Sequence, residues 1–179
     1  MNLEEITLGG GCFWCIENIF SRVKGITKVV SGYANGDIEN PSYEQVCSGN
    51  TNHAEVVKVS FDANVVSLDT VLDVFFAIHD PTTLNRQGND IGTQYRSIIV
   101  VENDTQREAA LAKIKQLTDA NAFEDDIVTL VEHKKNYYAA EDYHQDYYNN
   151  NTENQYCQLV VAKKIQKFLT NFSHLLKEE

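Results

Sequence analysis

Gly9-Gly10-Gly11-Cys12-Phe13-Trp14-Cys15 is the stretch whose residue types and spacing point most directly to chemistry. Three glycines let a backbone turn sharply and approach a ligand closely. Cys12 then opens an amphipathic segment, and the free N–H groups and dipole of a helix start favour an anion. A free thiol, with a pKa of about 8.5, is only a few per cent thiolate at pH 7. A helix start that lowers it by about two units would make Cys12 mostly thiolate. Cys15 lies one helical turn further on, the spacing of redox dithiols. A zinc site would need two more ligands at a recognisable spacing, and Cys47 and Cys157 stand isolated. The pair therefore reads as redox or nucleophilic chemistry first and metal second, and Cys47 reads as a small buried hydrophobe.

Such a turn needs a strand before it and a helix after it. Ile6-Thr7-Leu8 is apolar and runs into the glycines. Phe13, Ile16, Ile19, Phe20 and Val23 recur at three- and four-residue steps, which predicts a helix stopped by Gly25. Strands are predicted over Ile26 to Tyr33 and Ala54 to Phe61, where Val57, Val59 and Phe61 alternate with Lys58 and Ser60. A helix capped at Ser67 carries Leu68, Val71, Leu72, Phe75 and Phe76. Ser97 to Val101 reads as a central strand, and Asn103 or Asp104 as the cap of a helix through Leu111, Ile114 and Leu117. Ile127 to Val131 reads as a further strand, and the tail from Tyr137 is Tyr- and Asn-rich until a helix from about Ala162 to Leu176. The expected fold is α+β: a two-layer sandwich with a ferredoxin-like plait core, its mostly antiparallel mixed sheet packed by helices.

Composition narrows the function classes. The 179 residues are 42% hydrophobic, 23% charged and 10% aromatic, as in a globular chain. One domain spanning 1–179 is expected, with a flexible Asn-rich segment around 149–155 and a C-terminal helix. Fifteen Lys and Arg against 26 Asp and Glu give a net charge of −11, which opposes nucleic acid and anionic membrane as partners. The basic cluster Lys163, Lys164 and Lys167 reads as a solvated helix face. No run of about 18 apolar residues provides a membrane span. Met1-Asn2-Leu3-Glu4-Glu5 carries acid where a signal peptide carries base, so a cytoplasmic location is expected. Four cysteines in such a chain do not read as a disulfide framework.

The core Gly11-Cys12-Phe13-Trp14 resembles the nucleophile motif of the A-type peptide methionine sulfoxide reductases. Further stretches follow in that family's order. They are Ser31-Gly32-Tyr33, Asn40-Pro41-Ser42-Tyr43, Val46-Cys47-Ser48-Gly49, His53-Ala54-Glu55, His79-Asp80-Pro81-Thr82-Thr83, Asn85 to Asp90, Gly92 to Ser97 and Ala140 to Gln145. The resemblance implies a catalytic domain that reduces the S epimer of methionine sulfoxide, free or in oxidised proteins. It would have no bound cofactor or metal, and its electrons would come from thioredoxin or another dithiol. A monomer is expected by default.

Carried over residue by residue, the resemblance makes Cys12 the nucleophile that attacks the sulfoxide sulfur. It makes Glu55 the acid that protonates the departing oxygen, aided by Tyr43 and Tyr95. Phe13 and Trp14 become the apolar wall around the substrate methyl, and Asp90 a binder of its polar groups. The chemistry asks for these types. A sulfoxide oxygen leaves poorly until protonated, and a carboxyl raised by apolar surroundings can protonate it at pH 7. Tyrosine hydroxyls donate without quenching a thiolate. Phe13 and Trp14 point to different helix faces, so one of them should face the pocket. Glu17, one turn beyond Cys12, reads as a charge near the helix start, and His53 as a hydrogen-bonder in a turn.

After attack Cys12 would be a sulfenic acid, which condenses with a second thiol. Cys157 resembles the family's resolving position, although Gln155 replaces its glycine. Cys15 departs the other way, since many members have glycine there. Cys157 is favoured over Cys15, and over direct reduction by an external thiol, because Asn149 to Asn154 lacks apolar anchors and can swing. The alternatives are a general thiol–disulfide oxidoreductase using Cys12 and Cys15, and a non-enzymatic sulfoxide- or metal-binding module built on that pair.

Overall fold

The computed structural model describes residues 2–177. Strand β1 (Leu3–Gly9) leads through the glycine turn into α1 (Phe13–Ser21), followed by β2 (Ile26–Ala34), the single-turn α2 (Tyr43–Cys47), β3 (Ala54–Asp62) and α3 (Leu68–Ile78). A two-residue hairpin, β4 (Arg86–Gln87) and β5 (Asp90–Ile91), precedes β6 (Ile98–Val101) and α4 (Asp104–Asp119). β7 (Leu130–His133), β8 (Tyr137–Ala139), α5 (Tyr147–Asn150) and α6 (Ala162–Asn171) complete the chain. The six-stranded sheet runs β7-β6-β1-β3-β2-β8. Its pairs are antiparallel except β6 with β7. The inner strands β6-β1-β3-β2, with α1 and α3 as crossovers, form the expected plait, a β-α-β-β-α-β unit in an α+β fold.

Period-two alternation decides what each strand buries. Val57, Val59 and Phe61 of β3 face the helices and are fully buried with Ile6, Leu8, Ile16, Ile19, Phe20, Leu72 and Phe75. Glu55 belongs to the same alternation and so lies on that face. The opposite face is smaller: Ala34, Ala54, Val56, Ile98 and Val100, covered by Tyr137. Ser67 caps α3 by accepting from the Thr70 N–H, and Asn103 caps α4 by accepting from the Gln106 N–H, as expected.

The sequence expectations need correction in the second half. The strand expected over Ile127 to Val131 forms at Leu130–His133, because it registers on Ile98 to Val101 of β6. β8 pairs with Gly32 to Ala34 of β2 from inside the Tyr-rich tail, where no apolar alternation marks it. The terminal helix ends at Asn171, and a 3₁₀ turn, Ser173–Leu175, follows it. The Asn-rich segment carries no apolar side chain of its own, but Tyr147 and Tyr156 flank it, and both rings pack on Trp14. Among the described residues, no helix is long and apolar enough to cross a membrane. Among the same residues, no three His, Cys, Asp or Glu side chains are grouped to hold a metal ion.

Candidate active site

The glycine turn puts Cys12 where β1 hands over to α1. Gly11 adopts φ 90°, a conformation open chiefly to glycine, and its N–H donates to the Tyr95 carbonyl at 3.2 Å. Gly10 lies so close to the His79 ring that a Cβ would come within 2.7 Å of it. Cys12 itself is the N-cap of α1, with extended backbone.

Its side chain opens on a cavity of about 260 Å³ lined by Cys12, Trp14, Tyr43, Asp90, Tyr95, Asn154 and Tyr156. Five residues singled out from sequence thus meet around one small volume. Tyr43 arrives on α2, Tyr95 on the 3₁₀ turn Thr93–Tyr95, and Asp90 on the hairpin, where it accepts from the Tyr156 hydroxyl. Burial raises the pKa of the Tyr43, Tyr95 and Tyr156 hydroxyls, and nearby acidic groups add to the shift, so all three remain protonated donors. A larger cavity, about 550 Å³, lies between α3 and α6, but none of the candidate residues lines it.

Glu55 does not line the cavity and is 1% exposed, but it lies near enough for its charge to act on Cys12, Tyr43 and Tyr95. Its Oε1 accepts the Phe13 N–H at 3.3 Å, while Oε2 has no partner. Desolvation raises its pKa from 4.5 to about 8, so the carboxyl is a neutral acid at pH 7. Cys12 departs from its expectation. Burial, and then the neighbouring Glu55 charge, raise its thiol well above its ordinary value, and the Trp14 N–H at the helix start offsets little of this. A helix start lowers a thiol pKa only where the thiolate keeps some solvation, and Cys12 is 8% exposed.

Phe13 does not line the cavity. It is fully buried, with its ring 5.7 Å from Tyr33, 5.2 Å from His144 and 6.4 Å from Tyr43, so it backs the wall while Trp14 forms it. Sequence reasoning assigned no part to Tyr156 or Glu141. Glu141 accepts the Tyr33 hydroxyl at 2.8 Å and the Tyr43 N–H at 3.0 Å, which anchors α2. The signals available for them were slight: Glu141 falls within the Ala140 to Gln145 motif, and Tyr156 adjoins a candidate cysteine.

Residues 4–176 match the family described as peptide methionine sulfoxide reductase. The chain belongs to that family. The peptide methionine sulfoxide reductase MsrA of Chromobacterium violaceum is 52% identical to it over 175 residues, 98% of this chain and 99% of that one. Among solved structures, Mxr1 from Saccharomyces cerevisiae in reduced form aligns with TM-score 0.80 and 37% identity, covering 87% of this chain and 90% of that chain. Mxr1 in complex with Trx2 aligns with TM-score 0.57 and 28% identity over 82% of this chain and 85% of that one.

Two of this reductase's other three cysteines are buried. Cys15, at 3% exposure, lies one turn into α1, and burial pushes its thiol up to about 11. Cys157 is fully buried in the main core, at the start of a π-helical stretch, Cys157–Val161, with its N–H on Asn154 Oδ1 at 3.2 Å. Cys47, expected to be buried, is exposed; Val46 takes the inward position of α2 instead. His53 acts as a turn residue, accepting from the Gly36 N–H at 3.1 Å, with its other nitrogen 2.7 Å from the Ile38 carbonyl.

Proposed function

We propose that the chain reduces the S epimer of methionine sulfoxide, free or in oxidised proteins, as a single catalytic domain of a monomer in the cytoplasm. The observation that carries this reading is the buried, half-satisfied Glu55 carboxyl, bound to the Phe13 N–H beside Cys12, next to a cavity lined by Cys12, Tyr43 and Tyr95. A sulfoxide oxygen needs a proton before it can leave, and Glu55 holds one at pH 7. Tyr43 and Tyr95 donate hydrogen bonds to that oxygen, Trp14 packs on the substrate's apolar group, and Asp90 takes its polar groups.

Cys12 attacks the sulfoxide sulfur while Glu55 gives its proton to the oxygen. The sulfur–sulfur bond so formed then breaks as the hydroxyl passes from the substrate sulfur to Cys12, and the thiol proton returns to Glu55. Net, thiol plus sulfoxide gives sulfenic acid plus thioether, so no outside reductant enters this half-reaction. The sulfenic acid then condenses with a second thiol, releasing water and forming a disulfide. Cys157 is proposed as that thiol and Cys15 as the second candidate. The π-helical start at Cys157 supports the order, because such irregular stretches are frequent at functional sites. A thioredoxin-type dithiol returns the disulfide to two thiols, a step supported by the yeast relative's complex with Trx2. No bound metal or cofactor is required by any step.

The rival dithiol oxidoreductase is disfavoured because exchange between Cys12 and Cys15 has no use for the protonated Glu55 or for Tyr43, Tyr95 and Asp90 gathered around Cys12. Separated sulfoxide epimers test the proposal. Wild type should reduce the S epimer with dithiothreitol, and Cys12→Ser should not complete even one turnover. One equivalent of methionine from Cys12→Ser would end this mechanism.

A further inference from the structure

Trp14 is the chain's one tryptophan and the flat wall of the cavity. Its ring is held from outside α1, by residues 144–147. The indole N–H donates to His144 Nδ1 at 3.0 Å. One indole face stacks on Tyr147, with centroids 3.8 Å apart and planes 9° from parallel. Between these two holders the chain passes through Asp146, a non-glycine residue in the left-handed region at φ 55°. A backbone in that region persists when its surroundings fix it.

The fixing group comes from α1 itself. Glu17 lies one turn beyond Trp14, and its carboxylate is 6% exposed. One oxygen accepts the Asp146 N–H and the other accepts the Ser31 hydroxyl of β2. Gln145 completes the seam by accepting the Ser31 N–H and donating to the Ser31 carbonyl, both at 3.0 Å. A carboxylate is costly to bury unless hydrogen-bonded, so these two donors are what allow Glu17 to occupy this position.

We propose that Glu17 is a positioning residue for substrate binding: by tying Asp146 and Ser31 to α1, it sets the turn that holds Trp14 against the cavity. It touches no reacting atom. The inference rests on the proposed function only where Trp14 receives the sulfoxide's apolar group; the ring's placement is independent of substrate.

The single tryptophan makes that placement readable without an activity assay. Glu17→Ala should expose Trp14, with a red-shifted emission maximum and acrylamide quenching raised about threefold. With methionine sulfoxide, KM should rise several-fold while the single-turnover rate at saturation stays within about threefold, because the loss lies in binding. Glu17→Gln keeps an acceptor for the Asp146 N–H and should recover most of both effects. Tyr147→Leu removes the stack without altering Glu17 and should reproduce the exposure and the KM change. Phe20→Leu, a core change on α1, should shift neither.

Wild-type quenching in Glu17→Ala would overturn the proposal, and so would an equal shift in Phe20→Leu. If Glu17→Ala does not fold, wild-type quenching and KM in Tyr147→Leu would overturn it equally. A wild type inactive on sulfoxide, with the Trp14 shifts still present, would instead remove the proposed function and leave the clamp standing.

Discussion

The Phe13 N–H donates to Glu55 Oε1 at 3.3 Å, which joins the first residue of the helix carrying the candidate nucleophile to the strand carrying the candidate acid. This bond satisfies one free N–H of the helix start and leaves Glu55 Oε2 unpartnered. The same helix start that was expected to stabilise a Cys12 thiolate thus spends one of its donors on the acid. Cys12 and Glu55 are both neutral at rest, and the proton the reaction needs is already in place.

Glu55→Gln keeps the shape and the acceptor for Phe13 but removes that proton. The single-turnover rate should fall roughly 10²–10⁴-fold, the usual range for general acid catalysis. In wild type, kcat/KM should fall as the pH rises through about 8, where Glu55 loses its proton. The variant should lack that limb. Equal rates, or an unchanged pH limb in Glu55→Gln, would remove the assignment.

Stability should carry the same signature with a definite sign. Glu55 ionises near 4.5 when unfolded and at about 8 when folded. Between these values the folded chain holds a proton that the unfolded chain has released. The contribution is therefore complete below 4.5 and is lost as the pH rises through about 8. Glutamine has no such dependence, so the stability of Glu55→Gln relative to wild type should grow from pH 5 to pH 8.5. Each tenfold difference in proton affinity between the two states is worth about 1.4 kcal/mol, which puts the gain on the order of 2–4 kcal/mol. Denaturant titrations at the two pH values measure it, and a constant difference would contradict the buried-acid assignment.

The legible parts of the fold and site were those that one segment's own pattern decides. Val57, Val59 and Phe61 alternate on β3, so Glu55 could be placed on the helix-facing side from sequence. The glycines and the α1 stripe located Cys12 at a strand-to-helix turn. What could not be read depends on distant partners. β8 exists because β2 offers it an edge, and Phe13 turns away from the cavity because Tyr33 and His144 receive its ring. The direction of the Cys12 shift follows from burial by elements up to residue 156, against a local helix-start effect. Val46 and Cys47 are adjacent small hydrophobes, and only the docking of α2 decides which is inward.

Thiol reactivity should follow exposure rather than position on a helix. Cys47 is exposed, whereas Cys12, Cys15 and Cys157 are 8%, 3% and 0% exposed, and Cys12 and Cys15 are strongly raised. Iodoacetamide at pH 7 should therefore alkylate Cys47 first in the reduced, substrate-free protein. Peptide mapping over time checks the order. Cys12 labelled ahead of Cys47 would mean that the helix start outweighs burial after all.

Recycling makes the largest demand on the fold. Cys157 starts in the core, and the residues leading to it are fastened to the cavity by Tyr147 and Tyr156, both packed on Trp14. We expect a Cys12–Cys157 disulfide, which needs Cα atoms no more than about 7 Å apart, to draw that segment from its place and release the stack. A Cys12–Cys15 disulfide would distort only the first turn of α1. The two routes therefore differ in what happens to Trp14. One equivalent of methionine sulfoxide, without reductant, should change Trp14 emission in wild type and in Cys15→Ser but leave it unchanged in Cys157→Ser. Cys157→Ser should keep its single turnover and its dithiothreitol-supported rate, since a small thiol reaches the sulfenic acid from solution, and should lose most thioredoxin-supported turnover. If oxidised wild type yields a Cys12–Cys15 peptide with Cys157 free and Trp14 emission unmoved, Cys15 is the resolving thiol and the segment from Tyr147 to Cys157 never opens.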